Sequence, residues 1–175
     1  VIEADDIVSL CDEFFAEVWT EESSTAGDEY ALHWHGSGSP YSAPAGDAIT
    51  KTTWASDGDS VDTGGDLSAT RFAVGGHSSA TYGYSSGGDT ISGAKIDVIE
   101  KYAFSISTGT ASDVGNLTGT KRDQDCQSST DYGYAGAATG GSAPATRIDR
   151  FAFASDGDST DWGTLGITVH HPTGN

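Results

Sequence analysis

Bulky and polar positions alternate in short runs along this chain, and the runs recur. Thr52 with Trp54, Tyr102 with Phe104, and Phe151 with Phe153 each sit two residues apart, which places each pair on one face of a strand. A turn follows at once: Ser56-Asp57-Gly58-Asp59 after the first pair, Ser107-Thr108-Gly109 after the second, Ser155-Asp156-Gly157-Asp158 after the third. Asp-Gly is a strong hairpin signal, because Gly accepts positive φ without steric cost. A return strand then carries Leu67, Leu117 or Leu165. Between these runs lies a second hairpin. It extends from Arg71 through Tyr82 and Tyr84 to Gly87-Gly88, and again from Arg122 through Tyr132 and Tyr134 to Gly140-Gly141.

The anchors repeat about every 50 residues. Ile49, Ile99 and Ile148 align, as do Lys51, Lys101 and Arg150, and Trp54, Phe104 and Phe153. A fainter copy of the Tyr pair is expected at Leu32 and Trp34, within a strand that puts His33 and His35 on its opposite face. Two hairpins per period make four antiparallel strands per repeat, the make-up of a β-propeller blade. The expected fold is all-β, with three repeats at about 25–67, 71–117 and 121–169 inside a region spanning 22–175.

Residues 1–21 read differently. Ile7, Leu10, Phe14 and Val18 recur at helical spacing, with Asp5 and Asp6 placed to cap, so a short docking helix is expected. A degenerate strand pair is the alternative, since Phe14 to Thr20 is rich in strand formers.

Composition sharpens this picture. The hydrophobic share is 35%, Gly is 24 of 175 residues, and no apolar run approaches a membrane span. The regular spacing of aromatic pairs argues for a folded array rather than disorder. A net charge of −18 repels phosphate backbones and anionic membranes, so nucleic acid is excluded as a partner. The chain begins at Val1 and contains no Met, so an upstream part is expected. Cys11 and Cys126 allow one disulfide or two buried thiols.

Four groupings invite a chemical reading. Asp57, Asp59 and Asp62, matched by Asp156, Asp158 and Asp161, have the alternating acids that open a calcium loop, but no Glu closes it and turn chemistry is the preferred explanation. His33 and His35 are too few to define a metal site. His77 with Ser78 and Ser79, and His170 with His171, lie in no nucleophile elbow. Tyr82, Tyr84, Tyr132, Tyr134, Trp34 and Trp162 offer rings either to sugars or to packing between repeats. No catalytic residue, resident metal or cofactor is expected, and the ligand-binding residues are not identifiable.

A basic residue, then Tyr-x-Tyr with a Gly doublet, then Ile-x-Lys-x-aromatic, resembles the kelch repeat over roughly residues 25–169. The segments Tyr82–Gly88 and Phe151–Leu165 also resemble the GYxSGG and FxFASDGxxTDVGDL units of phage structural and tail-fibre-like proteins. That resemblance implies a non-enzymatic virion structural or adhesion protein, found on virions or outside cells, with other fibre proteins and surface glycans as partners. The alternative is a secreted carbohydrate-binding propeller or fibril component not of phage origin. Three repeats leave open edges, so a homo-oligomer is expected, either a dimer closing a six-bladed ring or a three-fold fibre.

Overall fold

A computed structural model describes residues 30–34, 46–53 and 59–166. The expected N-terminal helix, the first acidic turn at 54–58, His35, His170, His171 and Cys11 lie outside these residues. Among the described residues every regular element is a strand.

Three four-stranded sheets carry the fold. The first holds β1 (Tyr30–Trp34), β2 (Ala48–Thr53) and β3 (Val61–Asp66). The second, passing over β4 (Arg71–Phe72) and β7 (Asp89–Thr90), holds β5 (Gly75–Ser78), β6 (Tyr82–Ser86), β8 (Val98–Ala103) and β10 (Ser112–Asn116). The first sheet's fourth strand is β9 (Gly109–Thr110), lent by the second unit and paired parallel to β3. The third sheet holds β12 (Asp125–Ser128), β13 (Tyr132–Gly136), β15 (Arg147–Ala152) and β16 (Thr160–Thr164). The short β4–β7 pair and its counterpart, β11 (Lys121–Arg122) with β14 (Thr139–Gly141), form ribbons beside the second and third sheets. All pairings other than β3–β9 are antiparallel.

The recurrence of Tyr-Gly-Tyr has a local cause. Period-2 alternation turns both Tyr rings to one face and the Gly to the other. Gly83 lies opposite Tyr102 and Gly133 opposite Phe151, and the aromatic ring lies over the Gly. A Cβ at Gly83 would sit 2.7 Å from Cζ of Tyr102, and one at Gly133 2.7 Å from Cε1 of Phe151. Gly is therefore a packing requirement in each strand. The Leu after each return strand is held alike: its amide donates to Asp47, Asp97 or Thr146, at 2.7, 2.7 and 2.8 Å.

Register corrects three of the alignments expected from sequence. Tyr30 faces Thr53 as Tyr82 faces Ala103, so Tyr30 and Leu32 stand for Tyr82 and Tyr84, two residues before the expected Leu32 and Trp34. Lys121, not Arg122, is the counterpart of Arg71, since Lys121 and Arg71 each open the ribbon. The doublet Gly87-Gly88 is matched by Ala137-Ala138, not by Gly140-Gly141. Ala137 takes φ 48° where Gly87 takes 61°, so backbone position overrode the residue preference.

Two apolar clusters sit between successive sheets. Ile49 and Leu67 of the first unit meet Val74, Tyr102, Phe104 and Ala111 of the second. Tyr84, Ile99 and Leu117 of the second meet Ala135 and Phe151 of the third.

Candidate functional site: the uncovered face of the third sheet

Each unit grips the one before it by the same means. The turn after the aromatic strand crosses to the preceding unit's outer strand. The Ala111 amide donates to the Asp66 carbonyl at 2.7 Å, and the Ser159 amide to the Asn116 carbonyl at 2.8 Å. A Cβ at Gly64 would lie 2.8 Å from the Ser107 carbonyl oxygen, and Gly115 lies as tightly against Gly157, so these strands admit the turn because they lack side chains there.

Asp156 and Asp158 of the third turn are engaged in this grip, whereas Asp161 pairs within its own sheet. Both carboxylate oxygens of Asp156 accept from Lys101 Nζ, at 2.6 and 2.8 Å, and that bond is the main reason the Lys101 pKa is raised. Asp158 accepts from the Asn116 amide at 2.9 Å and from its side chain at 3.2 Å. Asp161 pairs with Arg147 at 3.3 Å. Among the described residues no three His, Cys, Asp or Glu side chains gather to hold a metal ion.

Within each of the second and third units lies a buried ion pair that the sequence pattern alone did not reveal. Arg71 pairs with Glu100, and Lys121 with Asp149 at 3.3 Å, all four side chains being within 1% of full burial. Lys121 also donates to the carbonyls of Ala135 and Arg147, at 3.0 and 3.2 Å. Its three N–H groups are thereby satisfied, which an unpaired buried ammonium could not tolerate. Burial still lowers the Lys121 pKa, and lowers that of Arg71 to about 10. The acids reach backward as well: Glu100 accepts from the Ser68 amide at 3.0 Å, and Asp149 from the Thr118 amide and hydroxyl at 3.0 and 2.6 Å. One buried carboxylate thus holds both its own unit's cation and the linker from the unit before. The available signal was an acid directly after Ile99 and Ile148, with a cation opening each unit; the first unit has Thr50 in that place.

His77 is not set up as a base for Ser78 or Ser79. It lies between the second and third sheets, edge-on to Phe151 at 4.9 Å between centroids. Nδ1 donates to the Gln127 carbonyl at 3.4 Å, and Nε2 accepts from the Ser86 hydroxyl at 2.9 Å. His77 and Ser86 are both fully buried, so no substrate reaches the pair. Burial drives the His77 pKa down to about 4, opposed by the Gln127 bond. Cys126 is a free thiol packed against Gly75, and burial pushes its pKa up to about 12, so it is not a reactive thiolate.

What these contacts cover in the second sheet is uncovered in the third. Ile99 is 0% exposed and Leu117 4%, whereas their counterparts Ile148 and Leu165 are half-buried. Tyr84 is 1% exposed and stacks on Phe153 at 4.8 Å, while its counterpart Tyr134 is half-buried against Trp162 at 5.3 Å. Trp162 itself is 53% exposed. Arg150 stands where Lys101 stands one unit earlier. Lys101 lies 5.1 Å from the Tyr82 ring and binds Asp156. Arg150 lies 4.4 Å from the Tyr132 ring and 5.9 Å from Trp162, and meets no carboxylate among the described residues. A cavity of about 210 Å³ opens beside Tyr132, Arg150, Ser155, Asp158 and Thr160, and Asp158 is already engaged by Asn116. A guanidinium set over aromatic rings with no anion of its own is suited to receive a carboxylate. Of the candidate rings, Tyr132, Tyr134 and Trp162 meet on this face, Tyr84 lies between units, and Tyr82 is exposed beside Lys101 of its own sheet. The Trp34 side chain lies outside the described residues.

No family model matches the chain, and a search of curated proteins finds no match.

Proposed function

We propose that this chain is a non-enzymatic structural or adhesion subunit of a virion, such as a tail fibre or surface appendage. Its four-stranded units would be kelch-like, arranged as propeller blades. The observation that carries this reading is the use of charge. The turn acids and buried carboxylates described above serve to fasten one unit to the next, as a load-carrying scaffold requires. The resemblance of Tyr82–Gly88 and Phe151–Leu165 to phage fibre units supports it. The test is to raise antibodies against the purified chain and label purified particles for electron microscopy. Labelled fibres or spikes are the expected result. Particles free of the protein, with the chain secreted by cells instead, would end the virion reading.

A second reading, a secreted carbohydrate-binding protein, is favoured by the exposed Trp162 beside Tyr132 and Arg150, since aromatic faces stack on sugar rings. Glycan-array binding that is lost in Trp162→Ala would favour it over the first.

A further inference from the structure

Two successive junctions inside this chain are built alike, and each has two sides. On the receiving side a sheet presents an Ile, a Leu, a pair of Tyr-type positions and a cation. On the giving side the next unit presents an aromatic strand and a turn whose amide reaches the receiver's outer strand. The third sheet has a complete receiving side that no described unit covers: Ile148, Leu165, Tyr132, Tyr134, Arg150 and Trp162. The described end of the first unit's giving side, Asp59 and Ser60, is exposed. Ala111 and Ser159, whose amides make the two crossings, are 6% and 8% exposed. Their counterpart in the first unit, Ser60, is exposed, as is Asp59 beside it. The first unit also repeats the third unit's turn residue for residue, Ser56 to Asp59 against Ser155 to Asp158.

We infer that the uncovered face of the third sheet binds the first unit of a second copy of this chain, head to tail. The contact reproduces the junction between the second and third units. Arg150 takes the place of Lys101 and receives a turn carboxylate. Ile148, Leu165 and Trp162 take the places of Ile99, Leu117 and Val114 beneath it. The argument for this occupant is that both halves of the contact are on one chain, with complementary charge, and the chain twice shows how they join. A cation at position 150 discriminates in favour of an acidic turn, and a chain of net charge −18 otherwise repels its copies. The contact is heterologous, so repetition closes a ring or extends a filament according to the rotation per unit. It stands whether or not the chain belongs to a virion.

The experiment uses the full chain and two variants that each spoil one side. Arg150→Glu reverses the receiving cation. Ser60→Trp puts a bulky ring where the counterpart Ser159 is almost enclosed. Both positions are at the surface of the single chain, and unchanged circular dichroism and melting establish that each variant folds. Sedimentation velocity over a concentration series should show the parent chain associating. Each variant alone should associate more weakly by roughly tenfold or more. A mixture of the two retains one intact giving side and one intact receiving side, so it should form a one-to-one dimer and nothing larger. Trp162→Ala should weaken association on the receiving side as well. A parent chain that stays monomeric at every concentration overturns the inference, including one that binds a glycan through Trp162. So does association indifferent to Arg150→Glu, and so does a mixture that fails to pair, which would indicate a face meeting its own copy.

Discussion

The junction between the second and third sheets and the outer face of the third sheet are made from corresponding residues, and they differ in one respect. The junction has a following unit, and among the described residues the outer face has none. In the junction, Ile99, Tyr84 and Leu117 are removed from water and Lys101 has its carboxylate. On the outer face, Ile148, Tyr134 and Leu165 are half-buried, and among the described residues Arg150 meets rings and no carboxylate. In a stacked array, burial is supplied by neighbours rather than by the unit itself, so the same side chain is core or surface according to its place in the row. The stability of the chain is expected to reside in the junctions, with little contributed by the outer face.

The largest test of that contrast concerns the buried ion pair. Asp149→Ala leaves the Lys121 ammonium enclosed with no counter-charge and frees the Thr118 linker. It should cost about 3–5 kcal/mol in guanidinium unfolding. Arg150→Ala, one residue along on the outer face, loses only partly exposed ring contacts and should cost about 1 kcal/mol or less. Equal costs would break the distinction between the two regions.

Acid provides the next test. His77 is neutral in the folded chain because burial holds its pKa near 4 against 6.5 when unfolded. Between those values the unfolded state binds the additional proton. Stability should therefore fall as pH drops from about 6.5 to about 4, by about 3 kcal/mol from this group, with no further loss from it below. His77→Gln, which copies the residue at the corresponding Gln127, should flatten the pH dependence in that window. An unchanged slope would place the acid sensitivity elsewhere.

The smallest effect concerns the natural difference between Tyr102 and Phe151 at matching positions. The Tyr102 hydroxyl is buried without a hydrogen-bond partner, and burial raises its pKa. Tyr102→Phe should raise the melting temperature, corresponding to a gain of about 1 kcal/mol. A loss of similar size would mean that the hydroxyl has a partner such as a bound water.

Strand faces, turns and the fifty-residue recurrence were legible in the chain because alternation and turn chemistry are local. Tyr82-Gly83-Tyr84 states its two faces without reference to anything distant. Register was not legible to the residue. The sequence matches Gly87-Gly88 to Gly140-Gly141, but the conformation, and not the Gly, is what recurs, at Ala137. The acids Asp156 and Asp158 read as turn residues, with cation binding as the alternative, because a local spacing does not disclose that Lys101 and Asn116 occupy their oxygens.

By itself the sequence determined that this protein is a row of similar antiparallel units whose aromatic faces need covering, since strand periodicity and Gly placement are properties of short segments. Only the tertiary structure decided which charges are buried together. Arg71 and Glu100 are 29 residues apart, and Asp149 joins Lys121 to a linker from the preceding unit. Such meetings depend on how one sheet seats on the next. That seating also decided which of three equivalent faces no described unit covers.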